Sequence, residues 1–271
     1  VNPLLIAALA LAGWLAGWPQ RAVIVRYAVP SGEPSRANCP ACGHQAGPAS
    51  SRSHQAGPAS GPTRPSHPPG LWRLSRFSAF PGRCPACRAR TGPSALAVAV
   101  TTAILLGALA ARVHPGLVLA AACWLAVCAV PLAFVDAAVR RLPDRLNVPA
   151  YAGAAVFLLL AAATGGHWPL LLRALLGGFA LAGFYLALFL ISPSAMGPGD
   201  VKLAASLGTV LAWFGWPTLI AGGFAGFLMA GLYGTALLAS GRATRKQQIP
   251  FGPFMIAGAF LAILLWPAVG S

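Results

Sequence analysis

A chain of 271 residues with 57% apolar and only 8% charged side chains is not an ordinary water-soluble domain, where about 25% charged residues is usual, and it is too apolar to be disordered over most of its length. Its four acids (Glu33, Asp136, Asp144 and Asp200) stand against 17 Arg and two Lys, for a net charge of +15. Such a charge suggests nucleic acid in a soluble protein, but with this apolar content it reads as an integral membrane protein with basic cytoplasmic loops.

Residues 1–17 (VNPLLIAALALAGWLAG) are apolar and carry no basic residue, the first being Arg21. They read as an uncleaved first transmembrane helix rather than a signal peptide, which would open on a positive region. Residues 18–94 change character: ten Arg, many Pro, Gly and Ser, and four of the six Cys fall here, as expected of a water-exposed cytoplasmic segment. Within it HQAGPAS occurs at 44–50 and again at 54–60. The composition of 43–70 cannot bury a core, so this stretch reads as a disordered insertion.

From Ala95 to the end, apolar runs alternate with short polar breaks, at 95–112, 116–135, 148–164, 169–191, 201–214, 217–239 and 251–268. A span needs about 20 residues, and most of these runs suffice. The run at 201–214 is short and carries Lys202. The predicted fold is all-α and polytopic, with about eight transmembrane helices, seven of them in a membrane domain over 95–271. With the N-terminus outside, the breaks at 18–94, 136–147, 192–200 and 240–250 share one side and hold 16 of the 19 basic residues. That side is predicted to be cytoplasmic.

Three Asp remain in the membrane region, and a carboxylate at a membrane boundary is a functional candidate by default because it is costly to desolvate. Asp136 closes one apolar run, in AFVDAAVRRLPDRLNVP; Asp144 follows in the same segment; Asp200 opens another run, in AMGPGDVKLAASLG. All three are expected at the cytoplasmic face. Two carboxylates from different helices meeting at one level suit aspartyl proteolysis. One, ionised, activates a water; the other, protonated, donates to the amide carbonyl, and the two titrate as a pair. Capping is the competing account. It explains Asp144, which follows Pro143 and precedes an apolar helix. It explains Asp200 less well, because a cap alone would not need Gly197 and Gly199 flanking a Pro, where glycines allow a tight turn and close approach of a substrate. It fails for Asp136 at a helix C-terminus, where the macrodipole disfavours an anion.

Cys39-Pro-Ala-Cys42 and Cys84-Pro-Ala-Cys87 are paired CxxC knuckles in a cytoplasmic segment. Four thiolates of this kind suit a closed, structural zinc site in a small zinc-ribbon-like loop, and disulfides are disfavoured in a reducing compartment. The other two cysteines, Cys123 and Cys128, read as small core residues. His44, His54, His67, His114 and His167 form no HExxH or other metal spacing, which disfavours a zinc protease, and Met196–Asp200 lacks the ending of a phosphate loop. The stretch QQIPFGPF at 247–254 opens the last helix, where its Pro and Gly either punctuate the turn or shape backbone beside the carboxylates.

Asp136 with Leu-Pro-Asp at 142–144, Gly-Pro-Gly-Asp-Val-Lys at 197–202 and Ile-Pro-Phe-Gly-Pro at 249–253, together with the paired knuckles, resemble the prepilin peptidases, the type IV leader peptidases of the GxGD class of membrane aspartyl proteases. The likeness touches most of the chain, from about Arg26 onward. It implies an eight-span fold in a bacterial inner membrane and a cytoplasmic-face site in which Asp136 and Asp200 are catalytic, with Gly197, Gly199, Asp144 and Lys202 in support. It implies prepilin or pseudopilin substrates whose short basic leader is removed and whose apolar helix lies in the bilayer, and in many members N-methylation of the new terminus with S-adenosylmethionine. This chain departs from the family where that second activity resides. The Ser-Phe-Leu-Asn part of the family's N-terminal stretch is absent, residues 17–27 reading GWPQRAVIVRY. The Asp-Asn-Ile-Pro between the knuckles and a Glu in the second span are also missing. The alternatives are a transporter or channel, whose Asp should lie near the midplane, and a non-catalytic relative acting in pilus assembly. A nucleic-acid partner is not expected, because the basic loop lacks an aromatic stacking pattern.

Overall fold

The computed structural model describes residues 2–29, 42, 87–89, 92–193, 196–241 and 250–265. The described residues form helices and turns, with no strand. The helices are α1 (Pro3–Tyr27), α2 (Ala95–Arg112), α3 (Leu117–Val139), α4 (Asp144–Gly165), α5 (Trp168–Ile191), α6 (Pro198–Phe214), α7 (Trp216–Ala239) and α8 (Gly252–Leu265). Six of them, all but α6 and α8, are long and apolar enough to cross a membrane. Helices are what such apolar runs must form, because a lipid-facing backbone can satisfy its N–H and C=O groups only within itself. The outward faces keep large apolar side chains exposed, among them Ile104, Phe179, Ile191, Ile220 and Phe224. That pattern suits a lipid surround and not water.

From α2 onward the described breaks between helices are chemically specific. Ser94 caps α2 by accepting from the Ala97 N–H at 3.1 Å. Arg140 closes α3 in a left-handed conformation, with its N–H on the Asp136 carbonyl. Gly166 closes α4 in the same way. Contacts run antiparallel in α1 with α2 (Gly13 at Ala103, Gly17 at Ala99), α5 with α6 (Gly177 at Ala212, Gly178 at Thr209) and α7 with α8 (Gly222 at Ala259, Gly226 at Met255). Neighbours pair as α1 with α2, α3 with α4, α5 with α6 and α7 with α8. Small residues set these pairings, as expected where lipid gives no hydrophobic drive between helices. A Cβ on Gly17 of α1 would collide with the Ala99 backbone of α2, and one on Gly258 of α8 would collide with the Gly226 backbone of α7. Short α6 sits at the centre, with Leu203, Leu207 and Leu211 no more than 2% exposed.

Helix α1 differs from expectation. It continues through the boundary predicted at residue 17 and ends at Tyr27, so 18–27 is helix and not the start of the polar segment. Its polar residues find partners inside the protein. Gln20 Nε2 donates to the Val127 carbonyl of α3 at 3.0 Å, and its Oε1 lies 2.8 Å from the Thr102 hydroxyl of α2. Arg21, 1% exposed, donates from Nε to the Pro93 carbonyl at 3.0 Å. The insertion predicted at 43–70, its repeat, and Cys39 and Cys84 lie outside the described residues. Cys42 and Cys87 are described, and both are exposed.

Candidate active site

The C-terminal end of α3, the N-terminal ends of α4, α6 and α8, and the segment after α5 converge on one open cleft of about 400 Å³. Asp136, Asp144, Asp200, Gly197, Gly199 and Lys202 all line it, with Arg140, Arg141, Pro250 and Phe251. The sequence-predicted residues of the membrane domain are therefore brought together, and all at one end of the helix bundle.

Asp136 lies in the last turn of α3 and is 4% exposed. Its Oδ2 accepts from the Gly252 N–H at 2.9 Å. The donor is the first residue of α8, 116 positions away. A Cβ on Gly252 would stand 2.9 Å from the same oxygen, so only glycine lets the backbone come this close. Asp200, in the first turn of α6 and 6% exposed, reaches back to the Gly197 N–H at 3.0 Å through Oδ2. Its Oδ1 is buried and has no hydrogen-bond partner. The charges of the two carboxylates act on one another. The arrangement is two buried carboxylates from different helices, each tethered through one oxygen by one backbone N–H. Asp200 Oδ1 is thus buried without a hydrogen-bond partner among the described residues.

Asp144 does not cap its helix. Pro143 occupies the cap position without a side-chain bond, and Asp144, the first residue of α4, pairs with Lys202 Nζ at 2.7 Å. Both partners are largely exposed at the rim. The two glycines divide. Neither has positive φ. A Cβ on Gly199 would fall 2.7 Å from Leu142 Cβ and 3.1 Å from its carbonyl oxygen, whereas one on Gly197 would meet nothing nearer than Asp200 Oδ2 at 3.6 Å. Close packing against the Leu-Pro-Asp turn, rather than a special backbone conformation, therefore requires the glycine at 199.

Three residues join the site that sequence reasoning had not singled out. Asn147, 2% exposed on α4, donates from Nδ2 to the Gly199 carbonyl at 3.1 Å and so ties α4 to the Gly-Pro-Gly-Asp turn. Its signal was an amide inside the apolar start of a helix. Tyr185 of α5, 1% exposed, packs edge-on against Phe251 at 5.7 Å, and Phe227 of α7 packs on Phe251 at 6.2 Å. These rings seat the entrance of α8, and with it Gly252, against Asp136. Nothing in the local sequence of α5 or α7 marks them.

Fold and site together define a polytopic helical membrane protein with a carboxylate pair in a cleft at one end of its bundle. The chain belongs to the type IV leader peptidase family, whose sequence profile matches residues 119–263. It is 34% identical over 189 residues to the prepilin leader peptidase/N-methyltransferase of Aeromonas salmonicida, covering 68% of this chain and 62% of that protein. It is 28% identical over 241 residues to the protein of that name in Pseudomonas aeruginosa, covering 84% and 70%, and 31% identical over 206 residues to that of Bacillus subtilis, covering 75% and 79%. The match thus spans less than two thirds of the Aeromonas relative's length. No solved structure matches the chain.

Proposed function

We propose that the chain is a membrane aspartyl endopeptidase that removes the basic leader of prepilin-like or pseudopilin-like substrates at the cytoplasmic face of a bacterial inner membrane. The observation that carries this reading is the pairing of Asp136 and Asp200, buried, from two helices, in one open cleft. In this reading one carboxylate, ionised, takes a proton from the attacking water. The other, protonated, donates to the scissile carbonyl as the tetrahedral intermediate forms; like charges held close do not both ionise, which divides the roles. Asp200 Oδ1, buried and without a hydrogen-bond partner, would reach that water or carbonyl once its side chain turns toward the cleft. Gly197, bare toward the cleft, leaves room for an extended substrate strand. Asp144 and Lys202 form the rim. The substrate's apolar helix would lie in lipid beside the bundle and deliver its boundary to the cleft. Both carboxylates stand at helix ends, which favours this reading over transport through a midplane site.

Cys39, Cys42, Cys84 and Cys87 are the donor set for a structural zinc, which would cross-link the two knuckles and take no part in hydrolysis. The relatives' shared name includes N-methyltransferase. For this chain the proposal stops at the peptidase, because the family's N-terminal motifs are altered.

The test is cleavage of a prepilin-like substrate in membranes by the wild type and by Asp136→Asn, Asp200→Asn and Asp144→Asn, with product N-termini read by mass spectrometry. Asp136→Asn and Asp200→Asn should abolish cleavage while Asp144→Asn retains it, and the product mass reports any added methyl group. Cleavage by either of the first two variants would overturn the proposed pair.

A further inference from the structure

A second cavity, of about 580 Å³, opens at the end of the bundle opposite the carboxylates. It is bounded by the turn between α2 and α3, the turn between α4 and α5, and the C-terminal ends of α6 and α8. Its titratable lining is basic, with Arg112, His114, His167 and Arg173, and Thr164 adds a hydroxyl. Among the described residues no side-chain carboxylate answers them. Asp136, Asp144 and Asp200 all line the cleft at the other end, and Glu33, the one remaining acid of the chain, lies outside the described residues.

Three of these side chains differ in how they are held. Arg173 of α5 donates from Nε to the Ala212 carbonyl at 2.8 Å and from Nη2 to the Trp213 carbonyl at 2.6 Å. It thereby caps α6 and fixes its guanidinium at the cavity wall, with Nη1 still to donate. His167 folds back over Gly165, where a Cβ would collide with its Nδ1. Arg112 is exposed at the last position of α2. The N-termini of α3 and α5 open here together with the C-termini of α2, α4, α6 and α8, so the positive character of the cavity comes from its basic side chains and not from the helix dipoles. The remaining walls are apolar, with Phe214 and Ile263 among them. Beside the mouth α5 turns Trp168, Leu172 and Leu176 outward, at 50–60% exposure. The cavity is therefore cationic at its polar rim, apolar in its walls, and continuous with a lipid-facing helix.

We propose that this cavity binds a phosphate group, and that the group is the headgroup of an anionic phospholipid from the leaflet opposite the active site. Fixed guanidinium and backbone N–H groups recognise phosphate oxygens. The apolar walls and the outward face of α5 receive the acyl chains, which a free phosphate ion would not use. The lipid's single negative charge would lie between the two arginines, offset part of their charge and brace α2, α5 and α6 at that end. This inference is independent of the proposed peptidase activity.

The test uses the full chain, purified in detergent and incubated with phosphatidylglycerol or phosphatidylcholine of the same acyl chains, with retained lipid counted by native mass spectrometry. Phosphatidylglycerol should be retained roughly tenfold over phosphatidylcholine, and should raise the unfolding temperature. Arg112→Gln, which removes a charge without touching the α6 cap, should lower that retention about fivefold, and Arg112→Lys should keep most of it. Equal retention of the two lipids, or unchanged selectivity in Arg112→Gln, would overturn the site. In a third arm inorganic phosphate replaces lipid. Saturable, Arg112-dependent phosphate binding without selective lipid retention would overturn the lipid as its source.

Discussion

Gly199 and Gly197 flank the same proline, yet their surroundings predict opposite outcomes. Gly199→Ala forces its Cβ into Leu142, and overpacking of this kind costs about 1–3 kcal/mol. The turn that carries Asp200 would shift, so a lower unfolding temperature and a marked loss of cleavage are expected. Gly197→Ala meets only Asp200 Oδ2 at ordinary contact distance, so stability should hold, and any loss of activity should appear as a raised KM from crowding of the substrate strand. Paired thermal melts and substrate titrations separate the two. Asp144 and Lys202 bound the other extreme: an exposed ion pair contributes about 0–1 kcal/mol, so neither partner is expected to matter much to folding. The carboxylates themselves were legible as residues, because acids are scarce in so apolar a chain and capping accounts well only for Asp144. Their backbone donors were only half legible. Gly197 lies three residues from Asp200, within a local motif, whereas Gly252 reaches Asp136 from another helix.

Among the elements, α1 shows what hydropathy misses and α8 what it finds. The apolar run of α1 fades at residue 17 because Gln20 and Arg21 are polar. Yet both are buried against α2 and α3 with partners for their donors, and the helix continues. Thr102→Val leaves Gln20 Oε1 without that partner inside the bundle; a polar contact of this kind is worth about 0.6–2 kcal/mol in a membrane protein. A lower unfolding temperature is expected. Because Gln20 and Thr102 lie away from the carboxylate cleft, cleavage at low temperature should persist. Gly258→Leu should behave otherwise. Its side chain would part α8 from α7, move Gly252 off Asp136, and abolish cleavage even where the protein still inserts and purifies. Measuring melt and turnover for both variants checks whether α8 carries the site while the α1–α2 contact carries stability.

For the whole molecule, the two ends of the bundle are chemically unlike. One gathers every described carboxylate, and the other holds Arg112 and Arg173 with no acid. Basic residues Arg140, Arg141, Arg145 and Lys202 surround the carboxylate end, and basic loops stay cytoplasmic. Single Cys substitutions at Arg145 and His114, in a background without native cysteines, should label from opposite sides of sealed inverted vesicles, Arg145→Cys from the cytoplasmic side. Labelling of both from one side would refute the alternation of helix direction. The knuckles make a separate prediction of about one zinc per purified chain, lost in Cys42→Ser with Cys87→Ser. Metal analysis that finds none in the wild type would remove the zinc-ribbon reading.

The sequence by itself determined the class of molecule, the order of its apolar helices, the carboxylates of the cleft and the family resemblance; of the eight spans it predicted, six helices are long and apolar enough to cross a membrane. These are local properties: the length of an apolar run, the scarcity of acids, and motifs read within a few neighbours. Tertiary structure alone decided which groups meet. It carried α1 to Tyr27, turned Asp144 from a cap into a partner of Lys202, and set Asn147 under Gly199. It also brought Gly252 to Asp136 and joined two distant turns around Arg112 and Arg173. The physical reason is that a hydrogen bond or ion pair depends on a few ångströms between atoms that lie 116 residues apart in the chain for Asp136 and Gly252, and only the packing of small side chains between helices sets that distance.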